Sequence, residues 1–275
     1  MKISIITINF NNVAGLKATL ESVAMQTCRE FEHIIIDGGS SDESVKAIQD
    51  YVAKVKSDEV RGKSVLWVSE KDNGIYDAMN KGVRKASSEY VYFLNSGDTL
   101  ATEDTIQEMI DAIDDSDFVI GRVNKTYQGR VLGQTDLLCE EDMSLYQMFL
   151  HGINHQAALI KRPLLVTTPY DVNVRLSADW MFFVQKIVLE SASVKFVDKL
   201  FANYDMTGVS SNSDALRRER MQILDTFVPE RIARDYITIA PLYYEVIRVQ
   251  WLLKHPFWYK LYRGMTTLGR KIMSE

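Results

Sequence analysis

Cysteine is scarce in this 275-residue chain, which has only Cys28 and Cys139. They stand too far apart for a zinc ligand pair or a C-x-x-C redox motif, and two thiols in so long a chain suit a reducing compartment. Both read as small hydrophobic fillers. Long apolar runs are missing as well: nowhere do about 18 apolar residues follow one another, so no spanning helix is expected. The apolar stretch Met1–Ile6 is short, is followed by Asn9, Asn11 and Asn12, and has no small-residue cleavage site. It reads as a buried strand and not as a signal peptide. Positive charge is not in excess, because 32 Lys and Arg face 37 Asp and Glu for a net charge of -5. The chain as a whole is therefore no polyanion binder, and its basic residues lack the interleaved aromatic pattern of a nucleic-acid-binding sheet. A dinucleotide fingerprint is also absent. The first strand runs into Thr7-Ile8-Asn9-Phe10-Asn11-Asn12 where a nicotinamide dehydrogenase needs G-x-G-x-x-G. A nucleotidyltransferase would want a glycine-rich basic loop at the same place.

Apolar residues make up 46% and charged residues 25%, an ordinary globular balance. Over the first 120 residues, strand and helix patterns alternate. Apolar runs at Lys2–Ile8, Phe31–Ile36, Ser64–Val68, Tyr90–Leu94 and Phe118–Val123 read as strands. Between them lie helical spacings, the first carried by Val13, Leu16, Leu20, Val23 and Ala24. This order predicts a mainly parallel, three-layer α/β sheet. After residue 124 the pattern loosens into a hairpin arm, a short helix at Met143–Leu150, a strand at Gln156–Ile160, a helix at Asp179–Glu190 and a strand at Lys195–Tyr204. From Asp214 onward it is helical, broken by Pro229, Pro241 and Pro256.

Parallel α/β sheets bind ligands beyond the carboxyl ends of their strands. The residues there are Thr7–Asn9, Asp37, Glu70–Asp72 and Asn95–Asp98. Acid after acid at that edge points to a cation or a ribose. In Asp37-Gly38-Gly39-Ser40-Ser41-Asp42 the glycines allow a tight turn and the aspartate can accept hydrogen bonds from a nucleoside; a plain helix-capping loop has the same composition. Asn95-Ser96-Gly97-Asp98 is compatible with a simple turn, and equally with a hard oxygen ligand for Mg²⁺ or Mn²⁺ beside phosphates. Lys71 can face phosphates, whereas Asp77 and Lys81 are placed for a surface i,i+4 pair. His155 is either a structural histidine or a metal or phosphate contact. Asp179 opens an amphipathic helix, where an acid is favoured by the helix dipole alone.

Taken in order, these segments resemble bacterial family-2 glycosyltransferases of the GT-A fold, of the kind that assemble exopolysaccharide and lipopolysaccharide. The resemblance rests on Ile6–Asn11, Ile36–Asp42, Ser69–Gly82, Phe93–Asp98, His155-Gln156 and Ala178-Asp179-Trp180, and covers about residues 1–210. It implies a Rossmann-like GT-A three-layer sandwich with a C-terminal helical extension. The domain would span 1–210, with a nucleotide-binding half at 1–124 and an acceptor half at 125–210, followed by the extension at 211–275. It further implies that Thr7 and Asn9 border the base, that Asp37 binds base or ribose, and that Glu70, Lys71 and Asp72 complete the pocket together with Asn95. Asp98 and His155 would hold Mn²⁺ or Mg²⁺; the chain keeps only the last acid of the D-x-D-type motif, with Asn95 in the first acidic place. Asp179 falls where the family has its general base, and Gly208-Val209-Ser210 resembles the stretch that closes over the donor.

The implied activity is inverting transfer of a sugar from a nucleotide sugar, UDP-linked first, to a glycan or lipid-linked acceptor in cell-surface polysaccharide assembly. The alternative is a non-catalytic nucleotide-sugar binding module or scaffold, which would not need a base. The expected place is the cytoplasm, with a peripheral contact at the inner face of the cell membrane. Trp251, Phe257, Trp258, Leu261 and Tyr262 among Lys254, Lys260, Arg263, Arg270 and Lys271 suit an anionic interface, or a packed helical pair.

Overall fold

A computed structural model describes residues 1–56, 64–207, 213–239 and 242–273. In chain order it contains β1 (Ile3–Asn9), α1 (Val13–Ala24), β2 (Phe31–Asp37), α2 (Ser44–Lys56), β3 (Ser64–Ser69), α3 (Ile75–Lys85), β4 (Tyr90–Phe93), β5 (Thr99–Leu100) and α4 (Thr105–Ala112). There follow β6 (Phe118–Tyr127), β7 (Arg130–Gln134), α5 (Leu145–Leu150), β8 (Ala158–Lys161), α6 (Arg162–Thr167), α7 (Ala178–Phe183), a π-helical turn at Val184–Leu189 and β9 (Val194–Asp205). Four helices complete the chain: α8 (Ser213–Phe227), α9 (Glu230–Ile239), α10 (Tyr243–Lys254) and α11 (Pro256–Met273). Two compact units divide at Arg220/Met221. Gly208-Val209-Ser210, the expected closing stretch, lies outside the described residues.

One sheet runs in the order β3-β2-β1-β4-β8-β6-β9-β5, with β7 paired to the far half of β6. β1 to β4 are parallel, β8 runs against both β4 and β6, and β9 runs parallel to β6. Six of the nine strands thus share one direction, which makes the sheet mostly parallel. Each residue of β1 and β2 is buried, as a strand covered on both faces requires. On one face Leu16 and Leu20 of α1 and Ile48, Tyr51, Val52 and Val55 of α2 pack on Ile35. Against the opposite face lies α3, where a Cβ on Gly82 would come within 2.4 Å of Ile6. Only glycine lets the helix approach the strand so closely.

Two features of this fold place the functional edge. First, β8 is antiparallel to β4, with Leu159 opposite Tyr92. The residues that lead into β8, His155 and Gln156, therefore arrive where β4 delivers Asn95 and Asp98. Second, an aromatic seam crosses the α3 face. Tyr170 packs at 5.4 Å from Tyr76, 5.7 Å from Phe93 and 5.4 Å from Phe182, and Phe182 lies 6.1 Å from Phe118. Each of these rings buries enough apolar surface to contribute roughly 1.5–3 kcal/mol. The seam fixes α7, and with it Asp179, against the start of α3. The segment carrying Tyr170 is pinned by Asn80, which bonds both its carbonyl oxygen (2.8 Å) and its N–H (3.0 Å).

Candidate active site

At the carboxyl ends of β1, β2 and β3, Asp37 is fully buried and saturated. Its Oδ1 accepts from Asn9 Nδ2 (2.8 Å) and Ser40 Oγ (2.6 Å), and its Oδ2 from Ser40 N (2.9 Å) and Ser69 Oγ (2.6 Å). Burial opposes its charge, but the bonds from Ser40, Ser69 and Asn9 outweigh that and hold the carboxyl below its ordinary range. Four acceptor positions are about all a carboxylate has. Asp37 therefore organises this edge by tying three strand ends together. The atoms it leaves for a ligand belong to its neighbours. Asn9 Oδ1 is buried with no partner among the described residues, an unmet acceptor that costs about 1–3 kcal/mol until something donates to it. Phe10, which sequence reasoning passed over, is 62% exposed at the end of β1. Asp72 leans over Gly38, whose missing Cβ would stand 2.5 Å from Asp72 Oδ2.

Thr7 has a different job from the one expected. Its hydroxyl lies 3.0 Å from His33 Nε2, and His33 in turn meets the Tyr51 hydroxyl through Nδ1 at 3.0 Å. Both contacts lie inside the layer of α2, so Thr7 is a core residue and does not border the edge. The physical reason is depth: Thr7 shares its face with Asn9 but stands two residues, roughly 6.6 Å, short of the strand end. Glu70 also serves the scaffold. It pairs with Lys81 Nζ at 3.1 Å, while Lys81 bonds the Lys71 carbonyl at 2.9 Å. This lock holds the 70–74 loop and leaves the Lys71 side chain exposed.

The β4 end holds Asn95, Asp98, His155 and Gln156. Asp98 is buried, accepting from Gln156 Nε2 (2.9 Å) at Oδ2 and from Asp205 N (2.8 Å) at Oδ1. Burial pushes its carboxyl up to about 6, and the two hydrogen bonds only partly offset this. His155 lies between Asn95 Nδ2 and Asp179 Oδ2, 3.0 Å from each. The divalent-cation expectation fits this donor set poorly. Both His155 nitrogens already have partners, each Asp98 oxygen has one and keeps a single acceptor position, and among the described residues no group of three or more His, Cys, Asp or Glu could hold a metal ion.

Asp179 stands at the start of α7, where sequence placed it. Its Oδ1 accepts from the Tyr76 hydroxyl (2.8 Å) and from Trp180 N (2.9 Å), and its Oδ2 from His155 Nδ1 (3.0 Å). Burial disfavours the charge, but His155 and Tyr76 more than compensate, so the carboxyl sits below its ordinary range and is ionised at neutral pH. Its side chain is 18% exposed. Three of roughly four lone-pair directions are filled, which leaves one, on Oδ2, for an incoming proton. Tyr76 is 103 positions away in sequence, and no spacing rule connects the two.

The family model described as "Glycosyl transferase family 2" matches residues 4–165. The chain belongs to glycosyl transferase family 2. A PGL/p-HBAD biosynthesis glycosyltransferase of Mycobacterium bovis (strain BCG / Pasteur 1173P2) is 32% identical over 215 residues, covering 76% of this chain and 79% of the relative. An uncharacterized glycosyltransferase of Mycobacterium tuberculosis is 32% identical over 221 residues, covering 77% and 78%. Among solved structures, S. aureus TarS 1-349 in complex with UDP-GlcNAc has a TM-score of 0.62 at 19% identity; the match covers 81% of this chain and 65% of the TarS chain. The Pyrobaculum calidifontis mannosyltransferase PcManGT in complex with GDP-Man and Mn²⁺ has a TM-score of 0.54 at 16% identity, covering 81% and 61%. At these identities the structures show the shared GT-A fold. No described helix of this family 2 enzyme is long and apolar enough to cross a membrane.

Proposed function

We propose that this family 2 glycosyltransferase moves a hexosyl group, with inversion, from a nucleotide sugar to a glycan or lipid-linked acceptor in cell-surface polysaccharide assembly. The observation that carries this reading is Asp179. It is an ionised carboxylate held by Tyr76, Trp180 N and His155, with one lone pair left over, at the sheet edge where strand ends supply nucleotide-binding groups. A binding module has no use for such a group.

UDP is the first choice of carrier. The base lies against Phe10, with Asn9 Oδ1 and Asp72 offering acceptors to imide or ribose donors, and Asp37 fixing Asn9 and Ser40 in place. Lys71 faces the diphosphate, and Asn95 lines the same edge. The acceptor hydroxyl attacks the anomeric carbon opposite the leaving nucleoside diphosphate. As the new C–O bond forms, the bond to the diphosphate oxygen breaks and its electron pair leaves with the nucleotide. The hydroxyl proton passes to Asp179 Oδ2, late, when bond formation has made it acidic. A single displacement inverts the centre and needs no sugar–enzyme bond. A divalent cation, present in the PcManGT complex, would supply charge neutralisation on the leaving group. The Asp98–His155 set is not arranged to hold one, so no step here runs through it.

The unpaired Cys28 and Cys139 suit the cytoplasm. Exposed Trp251, Phe257, Trp258 and Leu261 beside Lys254 and Lys260 suit peripheral contact with an anionic membrane face. Thermal shift against UDP-, GDP- and dTDP-sugars, each with Mn²⁺ and with EDTA, tests the donor. Stabilisation by UDP-sugars is expected, and a flat response to all three would overturn the reading. Anomeric proton couplings of the product report inversion.

A further inference from the structure

A cleft of about 540 Å³ lies between the start of α3 and the 172–176 loop. Its wall nearest the base is Tyr76, whose hydroxyl bonds Asp179 Oδ1. Ile75, Val172, Val174 and Leu176 line it further out. Two of these are large apolar side chains left open to water, Ile75 at 38% and Val172 at 46% exposed. A ligand with an apolar face would cover them, and taking that apolar surface out of water favours binding.

The cleft is also built to keep its shape. Glu219 lines it and spends both carboxylate oxygens on backbone: Oε1 accepts from Arg175 N and Oε2 from Leu176 N, each at 2.8 Å. Asp171 Oδ1 holds the other end of the same loop by accepting from Asn173 N at 2.8 Å. Glu219 forms no ion pair with the exposed Arg175 guanidinium, which also lines the cleft. No carboxylate of the described residues forms an ion pair with Arg175. A planar, permanently charged donor at the rim of an apolar cleft matches a carboxylate or phosphate.

We infer that this cleft is the acceptor subsite, and that it takes an amphiphilic acceptor. An apolar ring face lies on Ile75, Val172, Val174 and Leu176, and an anionic substituent meets Arg175, while the nucleophilic hydroxyl passes Tyr76 to reach Asp179. This rests on the glycosyltransferase reading and deepens it by naming the chemical class of the acceptor.

The test uses the full chain with methyl-labelled Ile, Leu and Val, titrated with phenyl phosphate, phenyl β-D-glucoside and inorganic phosphate, in the presence and absence of UDP. Phenyl phosphate and the glucoside should both shift the methyls of Ile75, Val172, Val174 and Leu176, and UDP should displace neither. Arg175→Ala should weaken phenyl phosphate at least fivefold and leave the glucoside within twofold. Val172→Asp, at a surface position that does not challenge the fold, should weaken both at least fivefold. UDP affinity should hold in both variants. Three results would overturn the assignment: no shifts at these methyls, the same shifts from inorganic phosphate alone, or displacement of the probes by UDP, which would hand the cleft to the donor. Failure of UDP to bind at all would instead strike the parent reading.

Discussion

Replacing Asp179 by asparagine tests the chemistry most directly, because the surrounding hydrogen bonds allow the shape to survive while the base is lost. Asparagine can keep its carbonyl oxygen at the Oδ1 position, accepting from Trp180 N and the Tyr76 hydroxyl. Its amide nitrogen then faces His155 Nδ1. His155 can answer by moving its proton to Nε2, and Asn95 can turn its amide so that Oδ1 accepts that proton. Asn95 Oδ1 is at present buried without a partner among the described residues, so the rearrangement costs no hydrogen bond there. The variant should therefore fold, losing no more than the roughly 0.3–1 kcal/mol of a carboxylate at a helix start. What disappears is the proton acceptor. A positioned general base contributes about 10²–10⁴-fold, so kcat should fall at least about 100-fold, on the order of 3 kcal/mol of barrier. UDP-sugar affinity should move by less than about threefold, since Asp179 lies against Tyr76 and His155 and not at the β1–β2 end. Steady-state kinetics and calorimetry on the same folded sample read both quantities. Near-normal turnover would refute the base assignment and leave Asp179 as a helix-terminus acid.

Other expectations separate ligand contacts from scaffold. Phe10→Ala should weaken UDP about tenfold by calorimetry, the scale of one lost base–aromatic stack, with an unchanged melting temperature because Phe10 is mostly exposed. Thr7→Val should do the reverse: UDP affinity unchanged, and about 1–3 kcal/mol lost in urea unfolding as His33 Nε2 loses its partner. Asp98→Asn carries a pH signature. Burial raises the Asp98 carboxyl from 3.8 to about 6, so the stability contributed by its protonated form is full below about pH 4 and lost as pH rises through 6. The two-unit gap is on the order of 3 kcal/mol. The substituted asparagine stays neutral and can still be bonded by a turned Gln156 amide, so the variant should exceed the parent by that amount at pH 8 and match it near pH 4. A net loss of stability at pH 8 would show that the charge itself is needed. Tyr76→Phe removes one hydrogen bond from Asp179 and should lower kcat several-fold with KM for donor unchanged; an equal rise in donor KM would place Tyr76 on the nucleotide instead.

The local grammar of the chain determined a good deal. Apolar runs of strand length alternating with 3.6-period helices dictated the parallel β1–β4 core, because a strand covered on both faces has to be apolar throughout. The same rule put Asp37, Glu70–Asp72, Asn95–Asp98 and Asp179 at element ends, where side chains reach ligands. Sequence could not tell which of these end residues would face a ligand and which would be spent on the scaffold. That depends on partners far away along the chain: Ser69 and Asn9 help to fill Asp37, Gln156 and Asp205 bond Asp98, Lys81 holds Glu70, and His33 takes up the Thr7 hydroxyl. The antiparallel insertion of β8 was equally hidden. Strand direction is set by which neighbour completes the hydrogen-bond ladder, not by composition, and it is this direction that brings His155 to Asn95 and Asp179. A carboxylate's role follows from how many of its lone pairs remain open, and only the folded chain, by closing contacts across 103 residues between Tyr76 and Asp179, decides that number.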